Sequence, residues 1–317
     1  MNASIRLGVA AALAFVTVGC TAAPDEPPPP RPERGTIKVG VMPTADAAPL
    51  FVAIEKGYFE QEGLEVQPVT ATGAGAMLPQ IEAGVLDLGQ TDYVTTILAA
   101  EHGKRLKIVG ASAQAGPAGY ALVAAKDSKI GSVRRLKGKT VAVNNLMGAG
   151  MLRVIAMLKD AGLDRDDVTF VEKPFPDMPA MLAAGKADAA LLAEPYVSTG
   201  AAQALLRAVP DTVPGRFTDL PTSGWVTTDK WRSEHPATLA AFRRGLAKGL
   251  RAAADRKEVE AVLPAYTKIT AAAAPNVSLG AVPTAVDPGR LQRVADLMRQ
   301  HGYVKSSLDV RALIAEP

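Results

Sequence analysis

From Thr36 onward the chain alternates short apolar runs of strand length with longer amphipathic segments, and glycine or proline marks most boundaries. T-I-K-V-G-V-M at Thr36–Met42 alternates and is rich in β-branched residues, which predicts the first strand of a sheet. The loop Pro43–Asp46 leads into a helix through Lys56, stopped by Gly57, and the aromatic pair Tyr58 and Phe59 then packs on the sheet. Strand Glu65–Val69, helix Gly75–Ala83, strand Leu86–Gly89, helix Tyr93–His102 and strand Leu106–Ala111 continue the pattern. Alternation of this kind predicts a mostly parallel sheet flanked by helices.

The pattern then repeats. Tyr120–Ala125 reads as the strand leaving a first lobe, and Ser132–Leu136 as a short helix before Gly138. Strand Thr140–Val143, loop Asn144–Gly148, helix Ala149–Asp160 and strand Val168–Val171 build a second lobe. Its signature stretch is P-F-P-D-M-P-A-M-L-A-A-G-K-A-D-A-A-L-L-A-E-P at Pro174–Pro195: loop, short helix capped by Asp177, glycine stop, buried strand. Here Ala184-Gly185-x-x-Asp188 matches Ala83-Gly84-x-x-Asp87 in the first half. Trp225–Thr228 is expected to cross back to the first lobe. The helices starting at Asp229, Pro236 and Asp287-Pro288 are expected to brace that lobe, with Leu239, Phe242, Leu246 and Leu250 on one face and Leu291, Val294 and Met298 on another.

A chain of 317 residues with 48% hydrophobic content accommodates two lobes, each with its own core. The net charge of +3 comes from 35 basic and 32 acidic residues in no long run, so nucleic acid is not an expected partner. The single cysteine, Cys20, ends an export-type segment in which Arg6 precedes an apolar stretch, Leu7–Val18, too short to span a bilayer comfortably. Thr17-Val18-Gly19-Cys20 resembles a bacterial lipobox, departing from it at Thr17, where leucine is usual. Residues 1–20 then read as a lipoprotein signal peptide ending at the acylated cysteine, which becomes the first residue of the mature protein and anchors it to a membrane; ordinary signal cleavage is the alternative. Residues 21–35, proline-rich, read as a semi-rigid spacer.

E-K-G-Y-F-E-Q-E-G-L-E-V, the A-G-x-x-D helix end and V-R-R-L-K-G-K-T-V-A-V at Val133–Val143 together resemble the solute-binding proteins of ABC importers in the nitrate, sulfonate and taurine group. That resemblance implies an α/β, two-lobed periplasmic-binding-protein fold of type II, with a ligand cleft between lobes. Residues 36–125 and 225–317 are expected in lobe 1 and residues 126–224 in lobe 2. It also implies an extracytoplasmic monomer that captures a small molecule and delivers it to an ABC permease. Related two-lobed folds serve enzymes of thiamine-pyrimidine and menaquinone metabolism, which leaves an enzyme as the competing class.

Catalytic chemistry is poorly supplied. His102, His235 and His301 are isolated at helix ends, and neither metal-ligand spacing nor a nucleophile motif occurs, so no cofactor or metal is expected. The cleft should be lined by loops at strand carboxyl ends. One side offers Thr44, Asp46, Thr72, Gly73, Thr91, Asp92 and Tyr93; the other offers Asn144, Asn145, Gly148, Phe175, Asp177, Glu194 and Tyr196. Apart from Lys173 at one edge these loops carry no base, yet they carry four acids. A bare oxyanion is therefore disfavoured against a neutral polar, aromatic or cationic solute, with Asp46, Asp92 or Glu194 meeting its donor-rich group.

Overall fold

The computed structural model describes residues 29–114, 119–210, 217, 219–281, 283 and 285–316, so Cys20 and the lipobox-like segment lie outside the described residues. In chain order the first half comprises β1 (Thr36–Val41), α1 (Ala48–Glu55), β2 (Glu65–Thr70), α2 (Ala74–Glu82), β3 (Leu88–Asp92), α3 (Tyr93–Glu101) and β4 (Leu106–Gln114). Then come β5 (Tyr120–Ala125), β6 (Lys139–Val143), α4 (Ala149–Asp160), β7 (Val168–Glu172), α5 (Met178–Ala183), β8 (Ala189–Ala193), α6 (Tyr196–Ala202) and β9 (Leu206–Ala208). The chain closes with β10 (Pro221–Thr228), α7 (Asp229–Glu234), α8 (Pro236–Ala252), α9 (Arg256–Tyr266) and α10 (Pro288–Gln300).

These strands form two five-stranded sheets of the same design, ordered β2-β1-β3-β10-β4 and β7-β6-β8-β5-β9. Three strands at one side of each are parallel, and the fourth, β10 or β5, runs antiparallel to both its neighbours. The second sheet is thus built from the contiguous run β5–β9, and the first takes β10 after the chain returns. Tyr120–Ala125 does not belong to lobe 1 as its position in the chain suggests: it pairs with β8, Tyr120 opposite Ala193, and with β9. Its composition announces a strand, but pairing partners are set by tertiary contacts that a local pattern does not carry. Likewise the return strand begins at Pro221, ahead of the expected Trp225.

The repeated A-G-x-x-D has one physical meaning in both sheets. Gly84 (φ 72°) and Gly185 (φ 64°) take the left-handed conformation that ends the preceding helix. Each aspartate then staples the next strand, the central one of its sheet, to its parallel neighbour. Asp87 exchanges two bonds with Lys38 of β1, at 2.9 and 2.8 Å, and Asp188 two with Thr140 of β6, both 2.9 Å. Asp87 additionally accepts from Arg34 (2.7 Å) and the Trp231 indole (2.9 Å).

The C-terminal helices brace the first sheet as expected. Leu239, Phe242, Leu246 and Leu250 pack with Phe59 and Trp225, and the Phe59 and Phe242 rings stack 5.6 Å apart. Leu291, Val294 and Met298 pack against Ile97 and Leu98 of α3. The spacer ends earlier than residue 35. Glu33 accepts from the Ala237 and Thr238 amides (2.8 and 2.7 Å), supplying the N-terminal cap that His235 does not give α8. Burial works against the Glu33 carboxylate, but these donors outweigh it and hold the group down at about 2.

Candidate functional site

The loops at the carboxyl ends of β1 and β3 meet those of β6 and β8. Ala45 N–H donates to the Glu194 carbonyl (3.0 Å), and the Tyr196 hydroxyl donates to the Pro43 carbonyl (3.0 Å). Asn145 Nδ2 donates to Thr95 Oγ1 (3.0 Å), and Ala149 N–H donates to Asp92 (3.0 Å). Gly73 lies at this seam, where even an added Cβ would make ordinary contact with the Asn144 carbonyl at 3.6 Å. Gly148, just before α4, leaves room for Asn145, which would stand 3.1 Å from a Cβ at that position.

Three of the acids have distinct employments. Asp92 caps α3 through Thr95 N–H (2.9 Å) and Oγ1 (2.7 Å), and the same carboxylate caps the first turn of α4 in the opposite lobe through Ala149. Glu194 accepts from Ser198 N–H (3.1 Å) and Oγ (2.7 Å) at the start of α6 and from Ser278 N–H (3.3 Å). Burial raises both carboxyls above their ordinary values despite those donors. Asp46 has a different environment. It caps nothing; its carboxylate accepts from the Tyr120 hydroxyl (3.1 Å) and lies in the field of Arg153. Burial nonetheless pushes it up to about 6, against the opposing pull of Tyr120 and Arg153.

Two expectations need correction. Asp177 makes no cap bond to α5; it is exposed and pairs loosely with Lys173 at 3.8 Å. Thr91 is fully buried with its hydroxyl 2.7 Å from that of Thr96, so it serves the β3–α3 junction rather than the cleft. The loops are also less free of bases than their own residues imply. Arg153, in the second turn of α4, lies over the Tyr120 ring (5.1 Å) and the Phe217 ring (4.8 Å). It sits four residues beyond Ala149, the same helical face as the α4 terminus, and that spacing was the available signal. The histidines stand at helix ends, His235 with Nδ1 3.0 Å from the Trp231 carbonyl.

Between the two sets of loops lies a pocket of about 520 Å³. Pro43, Thr72, Tyr266 and Lys268 line one side, and Phe175, Asp177 and Tyr196 the other. Phe175 and Tyr196 stack 6.2 Å apart, and Tyr266 stacks on Phe51 at 3.8 Å. Burial pushes the Tyr196 phenol up to about 12 and raises Tyr266 well above its ordinary value. Among the described residues, the buried hydroxyls of Thr44, Tyr93, Thr222, Ser223 and Tyr266 have no hydrogen-bond partner. Leaving a buried hydroxyl unpaired costs about 1–3 kcal/mol, and of these it is Tyr266 that lines the pocket, so its hydroxyl is the one to which a polar solute there would contribute most.

A family model described as NMT1/THI5 like matches residues 44–259. The chain belongs to that family. The NMT1/THI5-like region spans every cleft loop named above except those beyond α9's start, which supply Tyr266, Lys268 and Ser278. The riboflavin-binding protein RibY of Chloroflexus aurantiacus is 28% identical over 167 residues, 51% of this chain and 46% of its own length. A putative ABC transporter periplasmic binding protein of Brachyspira hyodysenteriae is 28% identical over 174 residues, 50% of this chain and 49% of its own. The chain thus spans about half the length of the curated relatives it matches. The nitrate-binding protein NrtA of Synechocystis PCC 6803 superposes with a TM-score of 0.76 at 18% identity, covering 90% of this chain and 86% of NrtA. The fold is that of the periplasmic solute-binding proteins of ABC importers.

Proposed function

We propose that this NMT1/THI5-like protein captures a small, uncharged, planar heteroaromatic solute outside the cytoplasm and delivers it to an ABC permease. The observation that carries the ligand class is the pocket of about 520 Å³, whose walls are aromatic and whose rim balances one acid, Asp177, against one base, Lys268. Phe175, Tyr196 and Tyr266 offer ring faces and edges, and the buried Tyr266 hydroxyl offers an unpaired polar handle. RibY, whose name states riboflavin binding, supports the same class. A nitrate-sized anion would leave most of this volume and all of its rings unused, so the NrtA likeness is taken for the fold alone.

Solute bound between the lobes gains contacts in the closed form that the open form lacks, and the population shifts by that difference in affinity. The permease would then read the closed shape. Acylation at Cys20 would keep the monomer at the membrane, with residues up to about Pro32 as the tether. Mass spectrometry of whatever the denatured protein releases, followed by calorimetric titration with riboflavin, a hydroxymethylpyrimidine, nitrate and taurine, tests the ligand class. Binding confined to the two heteroaromatics is expected; binding confined to nitrate or taurine would overturn it.

A further inference from the structure

Two tyrosines line opposite sides of the pocket of about 520 Å³, and their hydroxyls have opposite fates. Tyr196, which opens α6 in the second lobe, donates to the Pro43 carbonyl of the first at 3.0 Å. That bond joins the lobes whether or not anything lies between them. Tyr266 has no such bond: its hydroxyl is buried and meets no hydrogen-bond partner among the described residues. A neutral phenol has one hydrogen to give and lone pairs to receive, and here both capacities stand unused.

The ring is not free to swing towards a partner. It lies flat on Phe51 of α1, with centroids 3.8 Å apart and planes 2° from parallel. The next residue is pinned as well, Thr267 N–H and Oγ1 both donating to the Leu263 carbonyl, at 3.0 and 2.6 Å. Behind it α9 packs Val259, Val262 and Leu263 with Ala48 and Val52 of α1. First-lobe contacts therefore set where the hydroxyl points, whereas its surroundings are shared between the lobes. Burial, and after it the charges of Asp46 and of second-lobe Tyr196, keep the Tyr266 phenol neutral.

We propose that the Tyr266 hydroxyl makes closure conditional on solute: it is stripped of water without compensation when the lobes close empty, and a ring nitrogen or carbonyl of the solute supplies its partner when they close around one. Solute enters while the lobes are apart and the hydroxyl is wet, and on closing it takes the place of that water. Tyr196 favours every closed form alike, because its acceptor belongs to the protein. Tyr266 favours the filled form alone, because its acceptor does not. The solute class narrows accordingly. A hydrocarbon ring of the right size would fill the volume and still leave the hydroxyl dry, so the solute must carry an acceptor at the edge that meets Tyr266.

The inference rests on the pocket being the solute site, and its test lets the two fail separately. Tyr266→Phe and Tyr196→Phe each delete one oxygen and keep the ring; both are made in the full chain with Cys20→Ser and checked for a cooperative melt. Distances between spin labels at Val85→Cys in the first lobe and Lys186→Cys in the second are then measured without ligand. Tyr266→Phe should raise the closed-to-open ratio about fivefold or more, and Tyr196→Phe should lower it by about as much. In calorimetry, riboflavin should bind Tyr266→Phe at least about fivefold more weakly than it binds the wild type. A ratio in Tyr266→Phe within about twofold of wild type, or shifted in the same direction as in Tyr196→Phe, would overturn the proposal, as would undiminished riboflavin affinity. Riboflavin that fails to bind even the wild type would count against the ligand class, and the unliganded distances would still decide the role of Tyr266.

Discussion

Polar groups of the two lobes bond directly across the cleft, so on the proposed open–closed exchange the closed form of the unliganded protein should be sensitive to single side chains. Asn145→Ala removes the Nδ2 bond to Thr95 Oγ1, a contact between α3 of one lobe and the loop before α4 of the other. It also removes the Oδ1 acceptor for Met147 N–H, but that bond is local and is lost from open and closed forms alike. In the open form water replaces the Thr95 contact, so the net loss falls on closure and amounts to about 1 kcal/mol, roughly a fivefold drop in the closed-to-open ratio. Asp92→Ala goes further. It takes the acceptor from Ala149 N–H, a bond to an ionised group between lobes, worth about 1.5–3 kcal/mol, and it uncaps α3 at about 1 kcal/mol in both forms. The two effects separate experimentally: the interlobe part appears in distances, the cap part in the melting temperature. Spin labels at Val85→Cys and Lys186→Cys, exposed positions after the equivalent A-G turns, read the distances in a Cys20→Ser background. Both variants should broaden and lengthen the distribution, Asp92→Ala more, and the double variant less than additively, because Thr95, which accepts from Asn145, also donates to Asp92. Unchanged distances with a lowered melting temperature would refute the reasoning, reducing these bonds to ordinary packing.

Three other outcomes follow from single sites. Asp46 has its folded-state value raised from 3.8 to about 6, so the folded protein binds that proton more tightly than the unfolded chain does. Asp46→Asn should therefore stabilise the protein most above pH 6, with the advantage shrinking as pH falls through 6 towards 3.8; a pH series of denaturant midpoints reads it, against a field of Tyr120, Arg153 and Tyr266. Glu33 is shifted the other way, from 4.5 down to about 2, so Glu33→Gln should lower stability at neutral pH, and the difference should fade only as pH falls below 4.5 towards 2. Gly249→Ala places a Cβ 2.3 Å from the Pro49 carbonyl and 2.7 Å from Ala53 Cβ, where α8 crosses α1, and should cost about 1–3 kcal/mol by overpacking, measured by urea unfolding.

Local grammar carried much of the architecture. Strand and helix alternation, the left-handed glycines at 84 and 185 and the apolar faces of α8 and α10 are properties of neighbouring residues, and they were readable. What was not readable depends on partners distant in the chain. The placement of β5 in the second sheet is a choice among strands of similar composition. Glu33 reads as part of a proline-rich tether because the helix it caps begins about two hundred residues later. Tyr266 ends α9, a helix with no strong start signal in the sequence beyond Asp255, and it reaches the pocket only because α9 packs on α1.

The charge of the cleft shows why counting residues in loops is an unsafe route to a ligand. Four acids and one peripheral lysine suggested a surplus of negative charge awaiting a donor-rich or cationic solute. Asp92 and Glu194 are instead committed to main-chain amides at helix starts, where an ionised carboxylate is the complement of the local dipole and adds little field towards the pocket. Asp177 lies exposed beside Lys173, where solvent screens it. That leaves Asp46, whose carboxylate accepts from the Tyr120 hydroxyl and does not line the pocket. The preference for an uncharged solute therefore survives on different grounds: not an excess of acid in the loops, but a pocket of aromatic faces whose rim sets one acid, Asp177, against one base, Lys268.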